Sequence, residues 1–448
     1  MKSTKERIFT HVKNVAMIPV RLLAPRDRTN TSVVLLAAVF VLGIFSVPVK
    51  AQKLDSLGIK IGQMLIVGFP GPAVDQTVLE EIRQGKVGSI ILFEKNIPPQ
   101  NSFNALKKIT WTYQQAAPLP LLIGIDQEGG RVNRLKDKYG FPRSITARAM
   151  AQAMTLDSVR FYGESTAATL AGLGININFA PVVDLASNPD NPIIAKYGRA
   201  FSSNEDSVTL MAKEFIKAHR KYNVLTSLKH FPGHGSSKAD THLGIADVTN
   251  TWEERELKPY QALIDSGYAD AVMTSHIVNR QLDKSGNPGT LSTDILAGIL
   301  RNRLHFGGVV FSDDMQMQAI TKNFGLKDAI RMAINGGVDI MTFSNNLPDR
   351  DSRIVDVAHD LIRKMVESGE IKPERIDESY RRIIALKKRL SGGSDVNEVK
   401  QALAQKEVAL EKANAEIAAL NAKLAQQNEQ AAEKSVKQES TKKKKRKK

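Results

Sequence analysis

Residues 307–314 read GGVVFSDD: two glycines, a run rich in β-branched and aromatic side chains, then two carboxylates. The apolar part has no alternating polar positions and is too short for a buried helix, so it reads as a strand covered on both faces. The same form recurs outward in both directions: VDIMTF (338–343), AVMTSHI (271–277), LTSLKHF (225–231), ININFAPVVD (175–184), PLLIGID (120–126), GSIILF (88–93) and QMLIVGF (63–69). Longer amphipathic stretches separate them, among them 102–115, 157–172, 205–222, 252–266 and 292–304. Thr251 is placed to cap the fourth of these, since a hydroxyl accepts the free N–H groups of a first turn. Eight βα units in succession predict an α/β chain folded as a (β/α)8 TIM-like barrel. A doubly wound sheet is the competing arrangement.

Polar residues fall where a barrel would use them. Asp126, Asp184, Lys229, His230, His276 and Asp313 end their apolar runs. The C-terminal strand ends of a barrel form its active-site face.

The densest constellation is SLKHFPGHGSSKADTHLG (227–244). It leaves a strand and enters a Gly/Ser-rich loop, the kind of segment that closes over a substrate. Asp240 and His242 are two residues apart and share a side in extended chain, so a carboxylate there orients an imidazole for proton transfer. A metal site is the rival reading of these histidines. His230 and His234 have i,i+4 spacing, but Pro232 and Gly233 break the helix that would align them; a site assembled with His276 and Asp313 stays open. A Schiff-base role for Lys229 needs a depressed amine, which the nearby acids oppose.

In FSDD, adjacent strand residues point to opposite sides, so one carboxylate faces the mouth while the other braces backbone. A carboxylate at the mouth can attack an anomeric carbon; an acid pair that only caps the next helix is the alternative. IGIDQEGGRVNRL (123–135) places Asp126, a tight Gly129-Gly130 turn, then Arg131 and Arg134, and NPIIAKYGRAF (191–201) adds Arg199. Acids and arginines converging on one pocket grip hydroxyl groups or a carboxylate.

In order along the chain, IDQEGGRVNR, FAPVVDLASNP, YGRAF, KHFPGHG, ADTH and FSDD resemble glycoside hydrolase family 3. KHFPGHG followed by Asp-Thr-His is similar to its single-domain β-N-acetylglucosaminidase (β-N-acetylhexosaminidase) branch. The resemblance spans about residues 55–390 and implies a retaining double displacement. In that pattern Asp313 matches the nucleophile and His242 the acid/base, oriented by Asp240. Asp126, Arg134, Arg199, Lys229 and His230 match the residues that hold the sugar and its N-acetyl group. It implies terminal β-linked N-acetylglucosamine in peptidoglycan fragments or chitooligosaccharides as substrate, with no metal and no cofactor. Phosphorolysis by the same family and a non-catalytic wall-binding role are the alternatives.

The ends differ from this middle. The chain has 448 residues, a net charge of +16 and no cysteine, which excludes disulfides and thiolate chemistry. Much of the surplus charge lies in KKKKRKK (442–448) and in residues 1–30, so the barrel segment is only mildly basic and no specific nucleic-acid partner is expected. Arg21, Arg26 and Arg28 precede an apolar run, Val33 to Val49, and Val49-Lys50-Ala51 offers a cleavage site before Gln52. Residues 1–51 therefore read as a signal peptide or N-terminal anchor, residues 52–391 as the catalytic barrel, and the enzyme as exported: periplasmic or secreted, or membrane-anchored. Residues 392–441 read as a linker and charged helix, with Leu403, Leu410, Ile417 and Leu424 in heptad register. Coiled-coil self-association and a solitary charged helix are the two readings there. The lysine tail reads as a disordered contact for anionic envelope or membrane, or as a solvated end.

Overall fold

The structure is a computed structural model, and it describes residues 55–152, 155–241, 244–345 and 354–390. The expected signal or anchor segment, the charged helix and the basic tail lie outside the described residues, as does His242.

All eight expected strands are present: β1 (Leu65–Gly68), β2 (Ser89–Leu92), β3 (Leu122–Ile125), β4 (Ile177–Asn178), β5 (Leu225–Phe231), β6 (Ala271–Thr274), β7 (Val309–Asp314) and β8 (Ile340–Phe343). They pair in parallel in chain order, and β8 closes on β1 through Leu65↔Met341 and Val67↔Phe343. The fold is a closed (β/α)8 barrel rather than an open doubly wound sheet.

Every strand residue is buried except Asp313 and Asp314, which are half-buried where β7 leaves the barrel. Inside, Phe179 and Phe311 meet edge to face with centroids 5.2 Å apart. Gly124 leaves room for Phe179, since a Cβ there would lie 2.6 Å from its ring. The centre is thus filled by side chains, as barrels of this size require.

The fourth strand is shorter than expected, because Pro181 has no N–H for a ladder. The chain nevertheless stays beside β5: Val182 bridges Lys229, and Val183 N donates to Lys229 O at 2.9 Å. That extension carries Asp184 to the end of β5. Thr251 does not cap the helix after β5. The segment starts as a tight turn at Glu254–Leu257 and becomes α-helical at Lys258–Asp265, with Pro259 in the first turn. Proline suits that position, where its missing N–H costs no bond. The Thr251 hydroxyl points back to Val248 O at 3.4 Å. The expected helix at 292–304 forms over Asp294–Arg303 but is wound with i→i+5 bonds.

Two further short strands, Ala246–Asp247 and Ile277–Val278, pair in parallel beyond the ends of β5 and β6. They pin the far end of the loop that begins at KHFPGHG. At the opposite barrel end, buried Asp339 accepts from Arg301, Arg375, Arg382 and Ser379. Polar groups there tie helices to strand starts and serve the fold rather than the mouth.

Candidate active site

The β3 exit shows how the local sequence builds the site. The side chain of Gln127 accepts from Arg134 N at 2.9 Å and Leu135 N at 3.1 Å, folding the loop back on itself. Gly129 sits at φ 101, and a Cβ there would lie 2.2 Å from Ile145 O, so only glycine fits. The returning loop brings Arg134 over the Phe93 ring at 5.5 Å, with its Nη2 3.5 Å from Asp126 Oδ2. Arg131 turns elsewhere and stacks 4.7 Å above Tyr197.

Lys229, at the end of β5, places its Nζ 2.7 Å from Asp126 Oδ1 and 2.7 Å from Glu128 Oε1. Glu128 in turn takes Arg199 bidentately, from Nε at 2.7 Å and Nη2 at 2.8 Å. Planar guanidinium and carboxylate match in this arrangement. Arg199 Nη2 also lies 3.1 Å from His230 Nε2, and His230 Nδ1 lies 2.7 Å from Asp184 Oδ2. A guanidinium can only donate, so Nε2 accepts and Nδ1–H donates to Asp184. The partners thereby assign the neutral Nδ1–H tautomer. Asp184 also accepts from the backbone N of His230 at 3.1 Å and of His234 at 2.8 Å.

Three cations (Lys229, Arg199, Arg134) thus face three carboxylates (Asp126, Glu128, Asp184) in one buried network. Burial alone would push the Asp126, Glu128 and Asp184 carboxyls up, but the adjacent cations, and for Asp184 the His230 ring, hold all three below the usual range. Burial would likewise lower the Lys229 ammonium, yet Asp126 and Glu128 raise it above its ordinary value. Two carboxylates at 2.7 Å thus favour the charged form of Lys229, which opposes a Schiff-base role.

At the end of β7 the two acids divide the work. The Asp314 carboxylate accepts from the Ser344 hydroxyl, from Ser344 N at 3.2 Å and from Gln316 N at 3.1 Å. It braces the end of β8, and burial raises its pKa. Asp313 is half-buried at the mouth, with Oδ1 2.8 Å from Asp314 N and its own N 3.3 Å from Thr274 Oγ1. His276 contacts Thr290 Oγ1 at 2.8 Å and Asp314 O at 2.9 Å through its two ring nitrogens. With both nitrogens of His276 and of His230 engaged, neither offers a lone pair to a metal, and among the described residues no set of three His, Asp or Glu side chains is placed to hold one.

The structure therefore brings together Asp126, Arg134, Arg199, Lys229 and His230, with Asp313 at the end of β7. Asp240 is half-buried on the loop that leads to His242. His234 belongs to the root of that loop: its ring is buried, burial lowers its pKa to about 4, and Nε2 is 3.5 Å from Thr241 Oγ1. Glu128 is the main site residue that the sequence motifs do not single out. Its one signal is its place two residues beyond Asp126 at a strand end, where both acids point the same way. Asp184 is legible as a strand end, but its role in holding two histidine segments needs the fold.

Residues 56–386 match the glycosyl hydrolase family 3 N-terminal domain. A β-hexosaminidase from Tolumonas auensis is 35% identical over 287 residues, covering 63% of this chain and 83% of that protein. β-Hexosaminidase A from Pseudoalteromonas piscicida is 32% identical over 338 residues, which is 70% of this chain and 55% of that one. Among solved structures, a family 3 β-N-acetylglucosaminidase from a Paenibacillus species superposes with a TM-score of 0.70 at 32% identity, covering 76% of this chain and 64% of that one. A β-N-acetylhexosaminidase from Beutenbergia cavernae gives 0.66 at 28% identity over 75% of this chain and 99% of that one.

Proposed function

Because the chain belongs to glycosyl hydrolase family 3, we propose that its barrel mouth hydrolyses terminal β-linked N-acetylglucosamine with retention, through a glycosyl-aspartate. The protein is a glycosidase of the β-N-acetylhexosaminidase type, acting on N-acetylglucosamine-containing glycans. The observation that carries the assignment of roles is the division of labour at the end of β7. Asp314 is committed to Ser344 and Gln316, while Asp313 stands at the mouth. Asp313 attacks the anomeric carbon as the glycosidic bond breaks, and the proton for the leaving oxygen comes from His242, which Asp240 orients. In the second half His242 takes a proton from water, whose oxygen displaces Asp313. An imidazole in this role adds no second negative charge beside the nucleophile. The charge-balanced network of Lys229, Arg199, Arg134, Asp126, Glu128 and Asp184, with His230, presents fixed donors and acceptors to sugar hydroxyls and the N-acetyl group, at little cost in ordering.

The basic segment and apolar run before Gln52 support action outside the cytoplasm, on peptidoglycan fragments or chitooligosaccharides. The lysine run at 442–448 supports contact with an anionic envelope.

The test uses Asp313→Ala and His242→Ala with a nitrophenyl β-N-acetylglucosaminide and with a natural disaccharide, with and without phosphate. Asp313→Ala abolishes turnover of both. His242→Ala loses far more on the disaccharide, because nitrophenolate leaves without protonation. Full activity of Asp313→Ala, or equal loss on both substrates for His242→Ala, overturns the roles. Sugar phosphate as the product would make the reaction a phosphorolysis.

A further inference from the structure

The root of the His242 loop rests on a carboxyl group that takes no part in the chemistry above. Glu256 lies on the segment after β5 and is almost wholly buried, at 1% exposure. Its Oε2 accepts from Leu185 N at 3.3 Å, and its Oε1 accepts from the Ser187 hydroxyl at 3.0 Å. Both donors follow Asp184 on the β4 extension. On its other side stand the two glycines of Pro232-Gly233-His234-Gly235. A Cβ on Gly233 would lie 2.8 Å from Glu256 Oε2, and one on Gly235 would lie 2.9 Å from Oε1 and 1.8 Å from Leu185 O. The carboxyl therefore occupies the space that side chains at both glycines would need. It joins the segment bearing Asp184 to the segment bearing His230 and His234. Trp252 Nε1 on Pro232 O at 3.1 Å and Asn191 Nδ2 on His234 O at 2.8 Å complete the clamp.

The groups facing Glu256 are unsuited to a second negative charge. From the β4 extension comes Asp184, already anionic and satisfied by His230 and by two backbone N–H groups. From the β5 end comes His234, whose ring burial keeps uncharged near neutrality. From its own segment come Tyr260, whose buried hydroxyl has no hydrogen-bond partner among the described residues, and Arg255, which ion-pairs with Glu253 and Glu205. Among the described residues no cation lies within ion-pair distance of the Glu256 carboxyl. Burial first, and Asp184 second, push its pKa up to about 8.

We infer that Glu256 is a positioning residue that, in its uncharged form, holds the Pro232–Gly235 root of the loop against the β4 extension, and that its ionisation loosens that root and slows turnover. The inference rests on the glycosidase reading, but its failure is separable from the failure of that reading.

The sign is set by the direction of the shift. An acid whose folded pKa exceeds its unfolded value costs stability as pH rises from the unfolded value to the folded one. Loosening thus begins at weakly alkaline pH. The experiment measures kcat and KM against a nitrophenyl β-N-acetylglucosaminide from pH 5 to 10 for the full chain, Glu256→Gln and Glu256→Ala. Glutamine keeps the shape and cannot ionise. It should hold kcat within about threefold at pH 6.5 and shift the alkaline fall in kcat upward by about one pH unit or more. It should also resist urea better than the parent at pH 8.5. Glu256→Ala should lower kcat by about tenfold or more with little change in KM. A glutamine variant with the parent's alkaline limb and no gain in urea resistance overturns the inference, whether or not the alanine variant folds. Absence of turnover by the parent at every pH would instead refute the glycosidase reading.

Discussion

Glu128→Ala is the perturbation that best tests the charge-balanced network. The Glu128 side chain is 5% exposed and takes two hydrogen bonds from Arg199, at 10% exposure, and one contact from Lys229, at 3%. Removing it leaves three cations facing two carboxylates, with Arg199 stripped of its main partner. Breaking one member of a buried pair costs roughly 3–5 kcal/mol, because the survivor stays charged and uncompensated. With a urea slope near ~3 kcal/mol/M, the unfolding midpoint should fall by roughly 1–2 M at pH 7. Arg199→Met alone should cost a similar amount, since Glu128 then depends on Lys229. The double variant removes one charge of each sign, leaving Lys229 with Asp126 and Arg134 in place. Its cost should fall short of the sum of the single costs by about 2 kcal/mol. Circular dichroism of urea unfolding on the four proteins closes the cycle. Additive costs, or single costs below about 1 kcal/mol, would show that solvent rather than the partner carries these charges.

Three other outcomes follow from the same structure. Asp184→Asn removes the carboxylate that fixes the His230 tautomer and two backbone N–H groups, so kcat/KM should drop by about one to two orders of magnitude; parental kinetics would refute that role. Gly235→Ala forces a methyl group to 1.8 Å from Leu185 O, so it should lose activity and melt several degrees lower, at a strain of about 1–3 kcal/mol; an unchanged melting curve would contradict the packing. Lys387 donates to Gln63 Oε1 at 2.5 Å and Gly88 O at 2.7 Å, and burial lowers its pKa to about 7. Between that value and its ordinary one the unfolded chain binds the extra proton, so stability should rise with pH through this window. Lys387→Met should flatten the rise, as read from urea midpoints at pH 7 and 9.5.

How much of this is legible in the sequence depends on the range of the interaction. Strands covered on both faces announce themselves as unbroken apolar runs, so all eight are visible and their order in the barrel follows. Asp313 and Asp314 can be recognised as a pair pointing two ways, but only Ser344 and Gln316 show that Asp314 is the braced one. Lys229, Arg199 and Asp126 are nameable as candidates. Their mutual saturation is not, because Glu128 joins them across three separate strand ends. Local signals mislead at Thr251, where the chain starts a tight turn and defers its helix to Pro259. They also overextend β4, where Pro181 ends the ladder although the chain still runs beside β5. Glu256 gives no sequence signal at all: the last acid of Glu-Glu-Arg-Glu, before Leu-Lys-Pro-Tyr, looks like any first-turn carboxylate.

The way the barrel closes has a consequence for when it can fold. β1 finds its outer neighbour only in β8, and Lys387 near the end of the last described helix bonds Gln63 and Gly88 at the beginning. Lys60 pairs with Asp377 at 2.6 Å, and Asp55 with Arg363 at 2.8 Å. The last-made part of the barrel thus completes the first. Contacts this distant in sequence slow folding, since the whole intervening chain must be ordered before they form. A ribosome that has released only part of residues 55–390 has made a chain that cannot close its ring. Under the export proposed above, such a delay would leave the polypeptide threadable through a translocation pore until synthesis is nearly complete.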